Sequence, residues 1–263
     1  MSLHVVPDPS REERGGTVRQ LREGGVLRVE LNSPGTGNAV TEAMLDELLD
    51  AFTEPHPDVR AIVLSGAGDA FCLGLDRGEI ADMLDEDPTG VGVQVAGVKA
   101  RRVMDAIINC PAVTVARVQG KAIGAGLALA IACDLRAGAD TATFRLPELA
   151  LGMPIAWGGA LPRLLSEVGT ARARELILTA RVLGAEEACR ISLLHRAVPE
   201  EELDAAVDAW VRPVLRRSAS ALRLTKAMFS VYAAPTRLAD PTVLDAELLA
   251  SAVAARHRTR QGT

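Results

Sequence analysis

Two periods of hydrophobicity alternate along the chain, and they set the expected elements. Val18-Arg19-Gln20-Leu21 and Val26-Leu27-Arg28-Val29-Glu30-Leu31 alternate as half-buried strands do, and Gly24-Gly25 between them predicts a hairpin turn. Asn32 to Gly37 reads as a loop. Thr41 then stands as an N-cap before a helix whose apolar face is Met44, Leu45, Leu48, Leu49 and Phe52. Ala61-Ile62-Val63-Leu64 is a buried strand, because four consecutive apolar residues leave no polar face. Asp85 to Gly92, with Pro88, Gly90 and Gly92, predicts a mobile loop before a helix around Val98 to Ile108. Val113 to Val118 is the next buried strand, a helix opens at Gly124, and Asp134 to Ala137 is a short strand. Residues 161–193 read as two or three short helices, followed by helical patterns at Leu203 to Leu215, Ala219 to Tyr232 and Leu238 to Ala255.

Strands alternating with helices give an α/β core with parallel strands and a β-β-α rhythm. The boundaries divide the chain into a flexible N-terminal segment at 1–16, a core at 17–198 and a helical region at 199–263. The helical region is expected to cover the core or a neighbouring subunit.

Composition narrows the classes. Of 263 residues, 48% are apolar and only 3% aromatic, so the core is built from aliphatic side chains rather than rings. The net charge of −5 argues against non-specific binding to nucleic acid or anionic membranes, while leaving room for a local basic pocket. Cys72, Cys110, Cys133 and Cys189 are scattered without a CxxC pair, so neither a metal site nor a disulfide framework is expected. The N-terminus has no apolar signal-peptide core, and the longest apolar run, Ala122 to Cys133, is too short to span a bilayer. A cytoplasmic protein without membrane contact is the expectation.

Candidate chemistry gathers at two glycine turns and one acid. Gly124-Ala125-Gly126 ends the Val113–Val118 strand and opens an apolar helix, an arrangement that aims free backbone N–H groups and a helix's positive end at one point. Small residues at such a turn also let a helix pack close to a sheet. A second turn, Ala70-Phe71-Cys72-Leu73-Gly74-Leu75-Asp76, precedes it, and Glu148 follows among Leu146, Pro147 and Leu149, which would desolvate it and raise its pKa. Cys72 has no His near it in sequence and reads as a buried thiol, and His4, His56, His195 and His257 fall outside these segments.

These segments resemble the crotonase, or enoyl-CoA hydratase/isomerase, superfamily, over most of the chain from about Val18. Leu31-Asn32-Ser33-Pro34 with Asn38-Ala39 is similar to its early loop, Ala70 to Asp76 to its first oxyanion loop, Gln119 to Gly126 with Ala132-Cys133-Asp134-Leu135 to its second, and Phe144 to Gly152 to its catalytic-acid segment. The resemblance implies a spiral of repeated β-β-α units with a C-terminal helical region. It implies an acyl-CoA substrate, coenzyme A being part of the substrate and no other cofactor needed, and assembly as a homotrimer or hexamer. It further implies that the N–H groups of Leu75 and Ala125 hold a thioester oxygen, that Glu148 is the acid/base, and that Ala70, Leu73, Gly74, Asp76, Gly124 and Lys226 bind substrate or CoA. A surface lysine explains Lys226 equally well, and Arg101 and Arg102 either meet phosphate or belong to a charged helix face.

The pattern departs from the family's hydratases at Ala128, where those enzymes carry a second glutamate. A single carboxylate suits moving a proton between two carbons, which favours an isomerase. A hydratase in which Glu79, Asp82, Asp85 or a water compensates is the alternative; hydrolases and decarboxylases occur on the same scaffold. A catalytically idle CoA-ester-binding scaffold and an RNA-binding role are readings from other classes. The charge argues against the last. Trp157, in Pro154 to Gly159, either narrows the acyl pocket or packs in the core.

Overall fold

In the computed structural model, which describes residues 13–14, 16–54, 56–232 and 245–261, the two hydrophobic periods resolve into two sheets wrapped by helices. The strands are β1 (Glu13–Arg14), β2 (Val18–Glu23), β3 (Val26–Leu31), β4 (Ala61–Gly66), β5 (Val113–Val118), β6 (Lys121–Ile123), β7 (Leu135–Ala139), β8 (Thr143–Arg145), β9 (Leu183–Gly184) and β10 (Arg196–Val198). The helices are α1 (Glu42–Thr53), α2 (Arg77–Glu86), α3 (Val91–Asn109), α4 (Ala125–Ala132), α5 (Ala160–Val168), α6 (Thr170–Thr179), α7 (Ala185–Arg190), α8 (Leu203–Leu215), α9 (Ala219–Tyr232) and α10 (Asp245–Gln261).

The larger sheet has the order β1-β2-β3-β4-β5-β7-β10, antiparallel up to β3 and parallel from β3 onward. The smaller sheet joins β6, β8 and β9. Successive units give one strand to each sheet: β5 and β7 to the larger, β6 and β8 to the smaller, with α4 between them. This is the expected β-β-α spiral. The hairpin turns at Gly24-Gly25, with Glu23 opposite Val26. Thr41 caps α1 by accepting from the Met44 N–H at 3.2 Å, and Met44, Leu45, Leu48 and Phe52 are buried beneath that helix.

The loop expected at 85–92 is shorter. Asp85 and Glu86 belong to α2 and Gly92 to α3, so residues 87–90 alone connect the helices. Asp76 starts α2 by accepting from the Gly78 and Glu79 N–H groups. Asp87 closes the turn by accepting from the Thr89 N–H and hydroxyl, and Gly90, at φ 84°, admits the reversal into α3. Local caps therefore outweigh the proline and glycine content that suggested a longer loop.

The predicted bounds of α8 and α9 coincide with those observed, whereas 238–244 of the last predicted helix and 1–12 of the N-terminal segment lie outside the described residues. α10 packs on α2 and α3 of its own chain. The approach to α3 is close: a Cβ on Gly97 would stand 2.9 Å from that of Ala246, and one on Gly90 would stand 3.1 Å from the Ala250 carbonyl oxygen. Among the described residues no helix is long and apolar enough to cross a membrane.

Candidate active site

The first glycine turn is stitched on both sides. Along one edge the Leu73 N–H donates to the Gly37 carbonyl, Val40 N–H to Gly74, and Asp76 N–H to Val40. Along the other the Cys72 N–H donates to the Lys121 carbonyl and the Ile123 N–H to Cys72. Asn38 organises the loop from inside. It is fully buried at φ 55°, its Oδ1 accepts from the Ser33 N–H, and its Nδ2 donates to the carbonyls of Ala67, Ala70 and Phe71. Asparagine tolerates this left-handed backbone better than most residues.

This stitching brings the two glycine turns together. A Cβ on Gly74 would lie 3.0 Å from the Ile123 carbonyl oxygen and 3.8 Å from the Ala125 nitrogen, at a backbone φ of 97° that only glycine adopts without strain. The N–H groups of Leu75 and Ala125 have no hydrogen-bond partner among the described residues. Ala125 is the first residue of α4, where an N–H has no intrahelical acceptor. Two unpartnered donors on adjoining turns, one at a helix's positive end, are suited to an anionic or strongly polarised oxygen.

Glu148 completes the group. The Gly124 N–H donates to the Arg145 carbonyl at 3.0 Å, tying the second turn to the acid-bearing segment, and a Cβ on Gly124 would stand 3.1 Å from Glu148 Oε1. Glu148 shares a cavity of about 10 Å³ with Gly124, Ala128, Ile155 and Trp157 among its walls, and no other lining residue titrates. Its Oε2 is buried without a hydrogen-bond partner, and burial pushes its carboxyl above the usual range.

The remaining predicted residues divide. The Ala70 carbonyl is engaged by Asn38, Leu73 lies on the open side of the turn, and Asp76 is committed to capping α2. Of the three acids after the first turn, Asp82 and Asp85 are exposed, the latter paired with His257, while Glu79 accepts the Glu42 N–H at the start of α1. Burial raises the Glu79 pKa, and its side chain borders a small second cavity together with Leu75 and Trp157. Lys226 is not the surface lysine that its sequence context also allowed. It is buried, pairs with Asp134 at 2.7 Å and donates to the Ala112 carbonyl at 2.7 Å. Ala112 and Asp134 stand just before β5 and β7, at the strand ends opposite those that lead to the glycine turns. Cys72 is buried, its thiol pushed up to about 12, so it is no nucleophile.

An apolar cavity of about 180 Å³ begins at Leu75 and runs between α2 and α10, past Ile80, Leu84, Leu249 and Val253, with Arg77, Arg256 and His257 also at its wall. Sequence reasoning passed over both arginines because they lie 179 positions apart, 256 minus 77. Only the docking of α10 on α2 brings them to one opening.

The β-β-α spiral brings two unpartnered donor turns and one half-buried acid into one site. The chain belongs to the enoyl-CoA hydratase/isomerase, or crotonase, family: the family model matches residues 21–263. It is 36% identical over 212 residues to a probable enoyl-CoA hydratase of Mycobacterium bovis, covering 80% of this chain and 79% of that protein. A putative enoyl-CoA hydratase from Thermobifida fusca, solved in complex with CoA, superposes with a TM-score of 0.75 at 32% identity over 94% of this chain and 95% of that one. A monofunctional enoyl-CoA isomerase from M. smegmatis gives a TM-score of 0.67 at 30% identity, over 82% and 92% of the two chains.

Proposed function

We propose that this protein is an acyl-CoA isomerase that shifts a double bond from the 3,4 to the 2,3 position of an enoyl thioester. The thioester oxygen sits between the Leu75 and Ala125 N–H groups. Glu148 takes a proton from C2 and the electron pair of that C–H bond moves onto the oxygen. The enolate then collapses: C4 takes the proton back from Glu148, and the double bond ends between C2 and C3. Each backbone donor contributes on the order of 3 kcal/mol to the enolate-like transition state. A raised pKa suits Glu148 to receive and return the same proton.

The observation that carries the isomerase reading is that Glu148 is the one titratable residue lining its cavity, with Ala128 and Trp157 in the same wall. Hydration needs a water activated beside the acid, which paired carboxylates do well, whereas moving one proton between two carbons needs a single carboxylate. The similarity to a monofunctional isomerase supports the same reading. The hydratase names of other relatives, and Glu79 beside the neighbouring cavity, support hydration as the second reading.

CoA is recognised by chemistry that the long cavity offers: an apolar slot for a chain, with guanidinium groups of Arg77 and Arg256 for phosphate. A homotrimer or hexamer is supported by exposed apolar residues on α9, Leu224, Met228 and Phe229.

The test offers trans-3- and trans-2-enoyl-CoA separately to the enzyme in D2O, with mass-resolved products. Conversion of the 3-enoyl to the 2-enoyl ester without water addition, abolished in Glu148→Gln, is expected. Gain of water on the 2-enoyl ester would make the protein a hydratase. Ester binding with no turnover or exchange would make it a scaffold.

A further inference from the structure

We infer that Asp245, in the first turn of α10, is a positioning residue that holds Trp157 across the cavity containing Glu148. The inference rests on the proton transfer proposed for Glu148. Asp245 Oδ2 accepts from the Gly159 N–H at 3.0 Å, a link across 86 positions of chain. The turn it grips needs an external hold. Gly158 and Gly159 have φ of 58° and 75°, and two successive glycines leave a turn wide conformational choice. On one side Met104 closes against it: a Cβ on Gly158 would stand 2.7 Å from Met104 Cγ. On the other, the Asp245 carboxylate takes up the N–H at the start of α5, where a negative charge is favoured. The Ala160 N–H returns to the Trp157 carbonyl at 3.1 Å, so the indole follows this turn.

Trp157 borders both the Glu148 cavity and the adjoining one that contains Leu75. Trp157 is therefore a wall common to the acid's cavity and that of the first donor turn, and its displacement would enlarge the space beside Glu148 and admit water to it. The other walls of the Glu148 cavity carry no titratable group, so the hydration of this one carboxylate governs its proton affinity. α10 itself stays docked without the carboxylate, because Ala246, Ala250 and Ala254 seat against Gly97 and Gly90 of the α3 region.

The experiment uses the full chain in a Trp210→Phe background, which leaves Trp157 as the single tryptophan of the two. Asp245→Ala and Asp245→Asn are compared by Trp157 emission, acrylamide quenching, and the pH profile of 3-enoyl-CoA isomerisation. For Asp245→Ala the emission shifts to the red and quenching rises. Its kcat falls about tenfold or more at nearly constant KM, and the acid limb moves to lower pH as Glu148 becomes hydrated. Asp245→Asn, whose amide oxygen still accepts from Gly159, restores all of these. Unchanged emission and quenching in Asp245→Ala, or Asp245→Asn failing as fully as alanine, overturns the assignment. If Asp245→Ala lacks a folded circular dichroism spectrum, Asp245→Glu takes its place, since it keeps the charge and displaces the acceptor. If the wild type turns over neither ester, the proposed reaction falls, while the fluorescence still decides whether Asp245 holds Trp157.

Discussion

Replacing Glu148 by glutamine should remove activity and add stability, with the gain confined to neutral and alkaline pH. The carboxylate lies in an apolar cavity and one of its oxygens is buried without a hydrogen-bond partner. Leaving a buried polar group unpaired costs roughly 1–3 kcal/mol, more when it is charged. Glutamine keeps the shape, removes the charge and still leaves an amide unpaired, so the net gain is about 1–2 kcal/mol rather than the full penalty. The sign follows from linkage. Burial raises the folded pKa above the ordinary 4.5, so the folded state binds the proton more tightly than the unfolded chain. Wild-type stability is therefore greatest below 4.5 and declines as pH rises through the raised folded pKa. The variant lacks that decline. Paired thermal melts at pH 4, 6 and 8 should coincide at pH 4 and separate by roughly 2–6 °C in favour of Glu148→Gln at pH 8. Turnover of 3-enoyl-CoA should fall by roughly 10²–10⁴. A wild type equally or more stable at pH 8 would mean that the carboxylate is hydrated in the folded protein, and the argument for a poised acid would fail.

Three further outcomes are expected. Ala128→Glu combined with Trp157→Ala should open space and add an acid, giving water addition to 2-enoyl-CoA above the wild-type level; no gain would mean that these two positions do not set the reaction. Lys226→Met should cost about 1–3 kcal/mol in urea melts by removing the ion pair to Asp134, which keeps its bonds from Thr114, with the KM for acyl-CoA unchanged at a temperature where the variant is folded. Arg77→Ala with Arg256→Ala should raise KM for the CoA thioester at constant kcat and flatten its salt dependence, and a kcat loss at constant KM would refute a phosphate-binding role.

Legibility depended on an unbroken period: even for the longest described helix, α3, periodicity places the start seven residues late, at Val98 rather than Val91, because Gly92 and Gly97 interrupt its first turns. β3, β5, α8 and α9 have the bounds that periodicity predicts, because six or more residues in one period expose the buried face. β6, β8 and β10 are three residues each, too short to display alternation, and they exist because the neighbouring strand supplies their partners. The expected loop at 85–92 shrank because α2 runs on to Glu86 and Asp87 accepts from the Thr89 N–H and hydroxyl, closing the connection to α3 within residues 87–90.

The sequence by itself determined the two glycine turns and the half-buried acid at 148, since these are local: a backbone bend and a carboxylate among apolar neighbours are written in adjacent residues, while the alanine at 128 stood out only against the family's pattern. Tertiary structure alone decided the rest. Packing placed Ala128 and Trp157 in one cavity and sent Lys226 to Asp134 at the far ends of the strands. It set Arg77 beside Arg256 and closed Asp245 onto Gly159. Each of these joins residues from separate elements, and no local period records which helix face will meet which turn once the chain is folded.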